Sequence, residues 1–253
     1  MFGPDSDHDR ALADAIDEYT LLLFPPRGDE RHAHVKDIGS CDRQTWARRQ
    51  GNEEKFDADT LRKFVLGFAC EDYALAAAAS RQTVTTGVRL AMRPGFEGVV
   101  GRIVGADYIP TEFELVGHPD GVLDDAVVEV KSTEFLTSRN PPYERIIPTL
   151  ETVVAKQFHY VLQTAAYALA LNKRWGVLII VCRASGKKTV LRLDPLQFER
   201  DVLSRMVEVL AYTGRDRPMP PAQPPAFSFN GKGVSWMCKH CRFFDCEKNQ
   251  ARQ

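Results

Sequence analysis

The spacing of apolar positions along the chain predicts five helices. The first lies in residues 5–24 and stops at Pro25–Pro26, and a short one covers 41–49. Three longer helices are predicted at about 57–79, 153–171 and 195–212. All of them alternate with segments of a different pattern, so the chain is not all-helical.

Between the helices the pattern becomes that of strands. Apolar and polar residues alternate from Val88 to Val116, VLIIVCR at 177–183 is continuously apolar, and KKTVLRL follows at 187–193. This order predicts an α/β fold with a mixed central sheet flanked by helices. We expect a core at 56–215, an amino-terminal helical segment at 1–55, and a Pro-rich linker with a cysteine-rich tail at 216–253.

Composition and charge exclude several classes of protein. The 253 residues are 44% hydrophobic and 26% charged, which is typical of a globular protein. No apolar run could span a bilayer and the acidic amino terminus lacks a secretion signal, so we expect a cytoplasmic protein without a membrane partner. The 33 Lys+Arg balance 34 Asp+Glu, which excludes an overall cationic field but not a local basic groove.

The strongest chemical signal is a hairpin at 117–131, GHPDGVLDDAVVEVK. Asp124–Asp125 suits a two-residue turn between its strands. Counting back from that turn places Asp120 opposite Glu129. Because directly opposed residues have Cβ atoms about 4.5–5.5 Å apart, the two carboxylates would converge.

Lys131 lies two residues beyond Glu129 and would share its face, whereas Val128 and Val130 would face the core. Carboxylates suit Mg²⁺ or Mn²⁺, and such an ion activates a bound water and neutralises charge on a phosphate. The ammonium of Lys131 would position that water or stabilise the transition state. A solvent-facing Glu–Lys pair is the alternative interpretation.

Two helices would add polar side chains to this hairpin. Four residues form an apolar stripe on the helix at 57–79: Leu61, Phe64, Phe68 and Leu75. Glu71 falls within the stripe, where its carboxylate needs either a metal or an arginine. Four residues share one face of the helix at 153–171: Lys156, His159, Gln163 and Tyr167. Such a row is typical of a groove lining, in which Gln163 and Tyr167 could stack on bases or bond phosphates.

In combination, these motifs resemble the PD-(D/E)xK nucleases of the RecB-like branch, which carry GxxD, ExK and QxxxY in this order. Here GHPD ends at Asp120, EVK occupies 129–131, and QTAAY runs from Gln163 to Tyr167. The match covers about residues 60–195. The family places Gly-x-x-x-His on its first core helix, where this chain has Gly-x-x-x-Glu ending at Glu71.

The resemblance implies a Mg²⁺- or Mn²⁺-dependent DNA hydrolase. Asp120 and Glu129 would hold the ion, Glu71 would complete its shell, and Lys131 would assist the attacking water. The glutamine and tyrosine of QTAAY would position the DNA. The resemblance further implies an exonuclease on single-stranded ends in recombination, repair, phage or CRISPR-related DNA processing, with recombination or CRISPR-adaptation proteins as partners. The alternatives are an endonuclease or nickase with structural zinc, and a DNA-binding partner whose site is unused.

A cysteine-rich tail contains thiols with the spacing C-x2-C-x4-C: Cys238, Cys241 and Cys246. Three thiolates are one ligand short of a zinc site or an iron–sulfur cluster, and Cys41 and His240 are candidates for the fourth. Cys70 and Cys182 fall in core elements, where we expect inert thiols.

One amino-terminal cysteine with a carboxy-terminal triplet resembles iron–sulfur nucleases, including AddB-type helicase-nucleases and CRISPR-associated RecB-like exonucleases. The resemblance implies a 4Fe–4S cluster that joins both chain ends through Cys41 and the triplet. The family triplet is usually C-x2-C-x5-C, so structural Zn²⁺ stays an alternative. Arg43, Arg48 and Arg49 beside this cysteine would contact phosphates, or else form a solvated helix face.

Overall fold

The computed structural model describes residues 32–50, 58–133, 149–183 and 186–212. The helices are α1 (Asp42–Arg49), α2 (Ala58–Ala79), α3 (Leu150–Ala170) and α4 (Glu199–Tyr212), with 3-10 turns at Val35–Gly39 and Pro195–Phe198. The strands are β1 (Ala33–His34), β2 (Leu90–Gly95), β3 (Gly98–Ile103), β4 (Leu115–Gly117), β5 (Gly121–Val122), β6 (Ala126–Thr133), β7 (Trp175–Cys182) and β8 (Lys188–Leu193). These elements confirm the predicted helices and strands from 41 onward, and the helix predicted at 5–24 lies outside the described residues.

The strands form two mixed sheets rather than the single central sheet expected from the sequence. Their orders are β1-β4-β2-β3 and β5-β6-β7-β8. The chain passes from one sheet to the other between β4 and β5, through His118–Pro119–Asp120. Proline has no N–H to donate to a ladder, which favours a break in pairing at this point.

The second sheet is covered on both faces. On one face, Val127, Leu178 and Ile180 join the main core with α3. On the other face, Val128, Val130 and their β7 neighbours pack against Ala74 of α2 in a smaller cluster. The site described below therefore lies on a sheet held between two helices.

The apolar stripe predicted on α2 is wrong at its aromatic positions. Phe64 and Phe68 are 40% and 48% exposed, while Leu61 and Ala74 are buried. Small residues make the contact with β6 instead, since a Cβ at Gly67 would come within 3.3 Å of Ser132 Oγ. Periodicity of large apolar residues does not reveal a helix that approaches its sheet through small ones.

Buried ion pairs hold the amino-terminal part of the described chain. Asp37 is fully buried and accepts from Arg48 at 2.8 Å and Arg49 at 3.0 Å. Burial tends to raise the pKa of the Asp37 carboxyl, but the pairs with the two arginines outweigh burial, so this pKa is lowered. Arg48 and Arg49 thus bind a carboxylate of their own chain, which contradicts their predicted role as phosphate contacts.

Arg205 of α4 ties the same region to the core. Its guanidinium donates to the backbone oxygens of Ile38 and Ser40 and to Asp42 Oδ1, at 3.0, 3.2 and 2.9 Å. The loop containing Cys41 is therefore held against α4. No helix in the described ranges is long and apolar enough to cross a membrane.

Candidate active site

The predicted hairpin register is confirmed. Leu123 N–H donates to Ala126 O at 2.8 Å across the Asp124–Asp125 turn, and Gly121 pairs with Val128. Continued by one residue, this register brings Asp120 opposite Glu129. The site thus begins just before the short strand β5, where the chain enters the second sheet.

Asp120 is bound to the backbone of the strand opposite. Its Oδ2 accepts the Val130 N–H at 2.6 Å, which fixes the carboxylate at the edge of β6. Burial raises the pKa of Asp120, against the opposing effects of Lys131 and of this hydrogen bond. Asp120 is therefore held in one position and has little contact with solvent.

Glu129 is the most buried acid of the site, at 1% exposure. Its Oε1 pairs with Lys131 Nζ, whereas its Oε2 is buried without a hydrogen-bond partner among the described residues. Burial raises the pKa of Glu129 to about 7, with Asp120 and Glu71 adding to the rise and Lys131 opposing it.

Lys131 supplies the positive charge of the site. Burial tends to lower its pKa, but the carboxylates of Glu129 and Asp120 outweigh burial and raise it. Its Nζ also lies 5.6 Å from the centre of the Tyr160 ring. Lys131 is consequently protonated at neutral pH and can donate hydrogen bonds, but it cannot act as a base.

Glu71 approaches the site from α2, as expected for the position of the family histidine. Burial raises its pKa to about 7, and the nearby Asp120 contributes to the rise. Three carboxylates therefore share one ammonium, and two of them have a pKa near neutrality. Such raised values are expected where a buried acidic site lacks positive charge.

Tyr167 links helix α3 to the GHPD segment. It is 2% exposed, and its hydroxyl oxygen accepts the His118 N–H at 3.2 Å. Gly117 packs against the same ring, because a Cβ there would lie 2.6 Å from Val35 and 2.9 Å from the Tyr167 oxygen. The glycine of the first motif thus makes room for the tyrosine of the third.

The other polar residues of α3 lie at different depths. Gln163 Nε2 donates to the Tyr167 hydroxyl at 3.5 Å, and the predicted DNA-positioning role of this pair stays a prediction. His159 packs under Gly39 and beside Tyr160. Burial, aided by Lys131, lowers the pKa of His159 to about 4, so it is neutral at pH 7. The side chain of Lys156 lies outside the described part of the structure.

The carboxylates of the site, in the arrangement that the structure shows, fit a divalent cation only in part. Within the described ranges, no three His, Cys, Asp or Glu side chains converge as a ready metal-binding group, because Asp120 and Glu129 are engaged by Val130 and Lys131. The Glu129 Oε2 nevertheless is buried and has no hydrogen-bond partner among the described residues. Carboxylate oxygens of this kind are the ligands that hard cations such as Mg²⁺ prefer. Binding of Mg²⁺ or Mn²⁺ by these carboxylates therefore stays a prediction.

Sequence reasoning missed two contributors to this site. Tyr160, which lies against Lys131, was visible only as a residue at the margin of the polar face of α3. The Val130 N–H contact with Asp120 had no signal in side-chain types, because the donor is backbone. The predicted cluster ligand Cys41 lies just before α1, whereas Cys238, Cys241 and Cys246 lie outside the described residues.

Comparisons with known proteins give a fold and no family. No family model matches the sequence, and no curated protein matches it. Among solved structures, SSO0001 is similar with a TM-score of 0.52 and 13% identity, over 94% of this chain and 97% of that one. The alkaline exonuclease LHK-Exo from Laribacter hongkongensis has a TM-score of 0.40 and 13% identity, over 79% and 94%. The first likeness shows that the chain is an α/β protein with the fold of SSO0001, and neither assigns an activity.

Proposed function

We propose that the chain is a metal-dependent deoxyribonuclease that hydrolyses phosphodiester bonds at the Asp120–Glu129–Lys131 site. The observation that carries the proposal is the state of Glu129, whose carboxylate is buried, has a pKa raised to about 7 and keeps one oxygen without a partner among the described residues. A hydrogen-bonded structural acid would not be expected to combine these properties. The same side chain opens the ExK motif that follows GxxD.

In this proposal each residue has a distinct task. Asp120 and Glu129 would hold a Mg²⁺ or Mn²⁺ ion with help from Glu71, and a bound ion of this kind supplies an activated water and charge neutralisation. Lys131, protonated at neutral pH, donates to the phosphate oxygen on which charge develops. Tyr167 holds the His118 backbone and so fixes the approach of Asp120.

We further propose that the substrate is single-stranded DNA cut from an end. The support is the resemblance of the three motifs, together with Lys188 and Arg192 of β8, which lie over the rings of Tyr73 and Trp175. Cutting within a strand, or DNA binding without cleavage, are the competing functions. DNA with one labelled end separates them, because an exonuclease releases short products first and an endonuclease yields internal fragments.

The test of the proposed function is cleavage by matched variants. Wild type should degrade labelled single strands with Mn²⁺, and Asp120→Asn or Glu129→Gln should reduce the rate at least about 100-fold, because each removes one anionic ligand. Asp125→Asn, in the exposed turn of the same hairpin, is the control and should cut normally. Near-normal cleavage by both site variants would refute the site.

We also propose a 4Fe–4S cluster held by Cys41, Cys238, Cys241 and Cys246, with structural zinc as the competing assignment. Arg205 holds the Cys41 loop against α4, and the chain leaves α4 at Tyr212 toward the tail that carries the three other thiols. The helix that precedes the tail in sequence therefore contacts the Cys41 loop.

Metal analysis of protein purified without oxygen tests the cluster. Wild type should be brown and contain about four irons per chain, and Cys241→Ser should lose both properties. Cys182→Ser is the control, because Cys182 is buried in β7 and should keep the colour. Stoichiometric zinc without iron would replace the cluster assignment by the zinc site.

A further inference from the structure

Basic and aromatic side chains follow the edge strand β8 on the side of helix α2. We call this surface the β8 strip and define it by six residues: Tyr73, Arg174, Trp175, Lys188, Val190 and Arg192. Alternation along β8 turns Lys188, Val190 and Arg192 to one side, where Val190 is 60% exposed. Their β7 partners include Val181 and Ile179, which pack toward α2, so the strip lies on the α2 side of the sheet.

The cations of the strip lie against aromatic rings. Lys188 Nζ is 5.6 Å from the centre of the Tyr73 ring, and the guanidinium carbons of Arg174 and Arg192 are 5.1 and 5.2 Å from that of Trp175. None of the three forms an ion pair with a carboxylate in the part of the chain that the structure describes. Their charge is therefore available to an anionic partner.

The strip starts at the same end of the second sheet as the candidate active site but on the opposite face, because Glu129 and Lys131 share the face of Leu178 and Ile180. Lys131 pairs with Ile180 of β7, and Ile180 pairs with Thr189 of β8. The backbone of Lys188 therefore lies two strands from that of Lys131, about 10 Å within the sheet at the usual strand spacing, while its side chain lies on the other face. From there to Arg192 the strip runs away from the site over about 13 Å. On α2, Tyr73 follows Glu71 by two residues.

We propose that the β8 strip binds single-stranded DNA that passes from the active site around the end of the sheet to its other face. Lys188, Arg174 and Arg192 contact the phosphates, and the Tyr73 ring stacks on a base. Trp175 holds the two arginines in place, which reduces the side-chain conformational entropy that they lose on binding. The inference deepens the proposed function, because it names the strand outside the cleavage site as a second point of contact.

Charges on an edge strand can also serve to protect it, because lysines hinder its pairing with strands of other protein chains. That use requires charge alone and gives no role to the Tyr73 ring beside Lys188. The carboxylates nearest the far end belong to the Asp124–Asp125 turn, to which Trp175 is joined through its backbone N–H. Phosphate contact is thus strongest toward Lys188, at the same end of the sheet as the site.

Binding of a fluorescent 20-nucleotide strand, measured by anisotropy in EDTA with the full chain, tests the strip. Lys188→Glu/Arg192→Glu should weaken the Kd at least about tenfold and reduce the slope of log K against log salt by about 0.7 for each lost phosphate contact. Arg93→Glu/Arg200→Glu is the control with the same charge change on exposed positions of β2 and α4. It should stay within twofold of wild type apart from a small common effect of net charge.

Tyr73→Ala adds a test of stacking. It should weaken single-strand binding at least about fivefold and leave duplex binding unchanged, because paired bases do not expose their faces. Equal affinities for the strip variant and its control, or no binding of DNA by wild type, would overturn the proposal and leave the strip to an acidic protein.

Cleavage of the same strand with Mn²⁺ separates this inference from the proposed function. If wild type binds through the strip but cuts nothing, the nuclease proposal fails and the strip stands. If wild type cuts and the strip variant both binds and cuts normally, the strip is wrong and the nuclease proposal stands. Circular dichroism of each variant confirms that the fold is retained.

Discussion

The pH dependence of stability should change when Glu129 is replaced by glutamine. In the folded chain burial raises the pKa of Glu129 from an ordinary 4.5 to about 7. Between those two values the folded protein binds more protons than the unfolded protein, so stability falls as pH rises. The amide of the Glu129→Gln variant does not titrate, so the variant is free of this loss.

The magnitude follows from the pKa difference. At about 1.4 kcal/mol for each pH decade, the wild-type free energy of unfolding should fall by about 2–3 kcal/mol relative to Glu129→Gln between pH 5 and pH 8. The Lys131 ion pair needs no separate correction, because it already enters the pKa of Glu129 as an opposing effect, and Lys131 itself has a raised pKa and stays protonated over this range. The slope of the difference, not its absolute value, therefore carries the result.

Urea unfolding in EDTA at four pH values between 5 and 8, followed by tryptophan fluorescence, measures this slope. Glu112→Gln, which removes an exposed carboxylate outside the site, serves as the matched control. Parallel curves for wild type and Glu129→Gln across the window would refute the electrostatic account of the site. Addition of Mn²⁺ at pH 8 should stabilise wild type and not the variant, since only a folded site with both acids binds the ion.

Three further changes test other parts of the account. Glu71→Gln should raise the Mn²⁺ concentration needed for cleavage at least about tenfold with rescue at high Mn²⁺, and a lowered thermal midpoint with unchanged Mn²⁺ dependence would remove Glu71 from the site. Tyr167→Phe should cost about 1 kcal/mol of stability through loss of the bond to the His118 N–H, with unchanged DNA affinity, whereas weaker DNA binding would indicate direct contact. Asp37→Asn should cost about 3–5 kcal/mol at pH 7 by breaking its buried pairs. Because the pKa of Asp37 is lowered from 3.8, this wild-type advantage should begin to shrink as pH falls below 3.8 and be lost only below the lower folded-state pKa, so urea unfolding should show a smaller difference at pH 3 than at pH 7.

The hairpin of the site could be predicted from sequence to the residue. Its turn is short and its side chains alternate, so one register satisfies both the Asp124–Asp125 turn and the burial of Val128 and Val130. The register of such a hairpin depends on residues that are close to one another in sequence. Periodic patterns likewise locate the helices, although α3 begins at Leu150 rather than at 153 and α4 at Glu199 rather than at 195.

Contacts between distant segments could not be predicted. Nothing in the pattern of α2 shows that Gly67 allows a close approach to β6 while Phe64 and Phe68 stay exposed. Likewise the basic run at Arg48 and Arg49 is typical of a phosphate contact until the fold brings a buried carboxylate beside it. Burial and pairing across long sequence distances decide both cases.

Titration of the metal-free chain with Mn²⁺ at pH 8, followed by electron paramagnetic resonance, tests the central claim most directly. Wild type and the control Asp125→Asn should each bind Mn²⁺ with a measurable Kd at a site that involves both Asp120 and Glu129. Glu129→Gln should weaken that Kd at least about 100-fold, because it removes an anionic ligand from the ion. Equal Mn²⁺ affinity in wild type and Glu129→Gln would contradict the assignment of this carboxylate pair as a metal site.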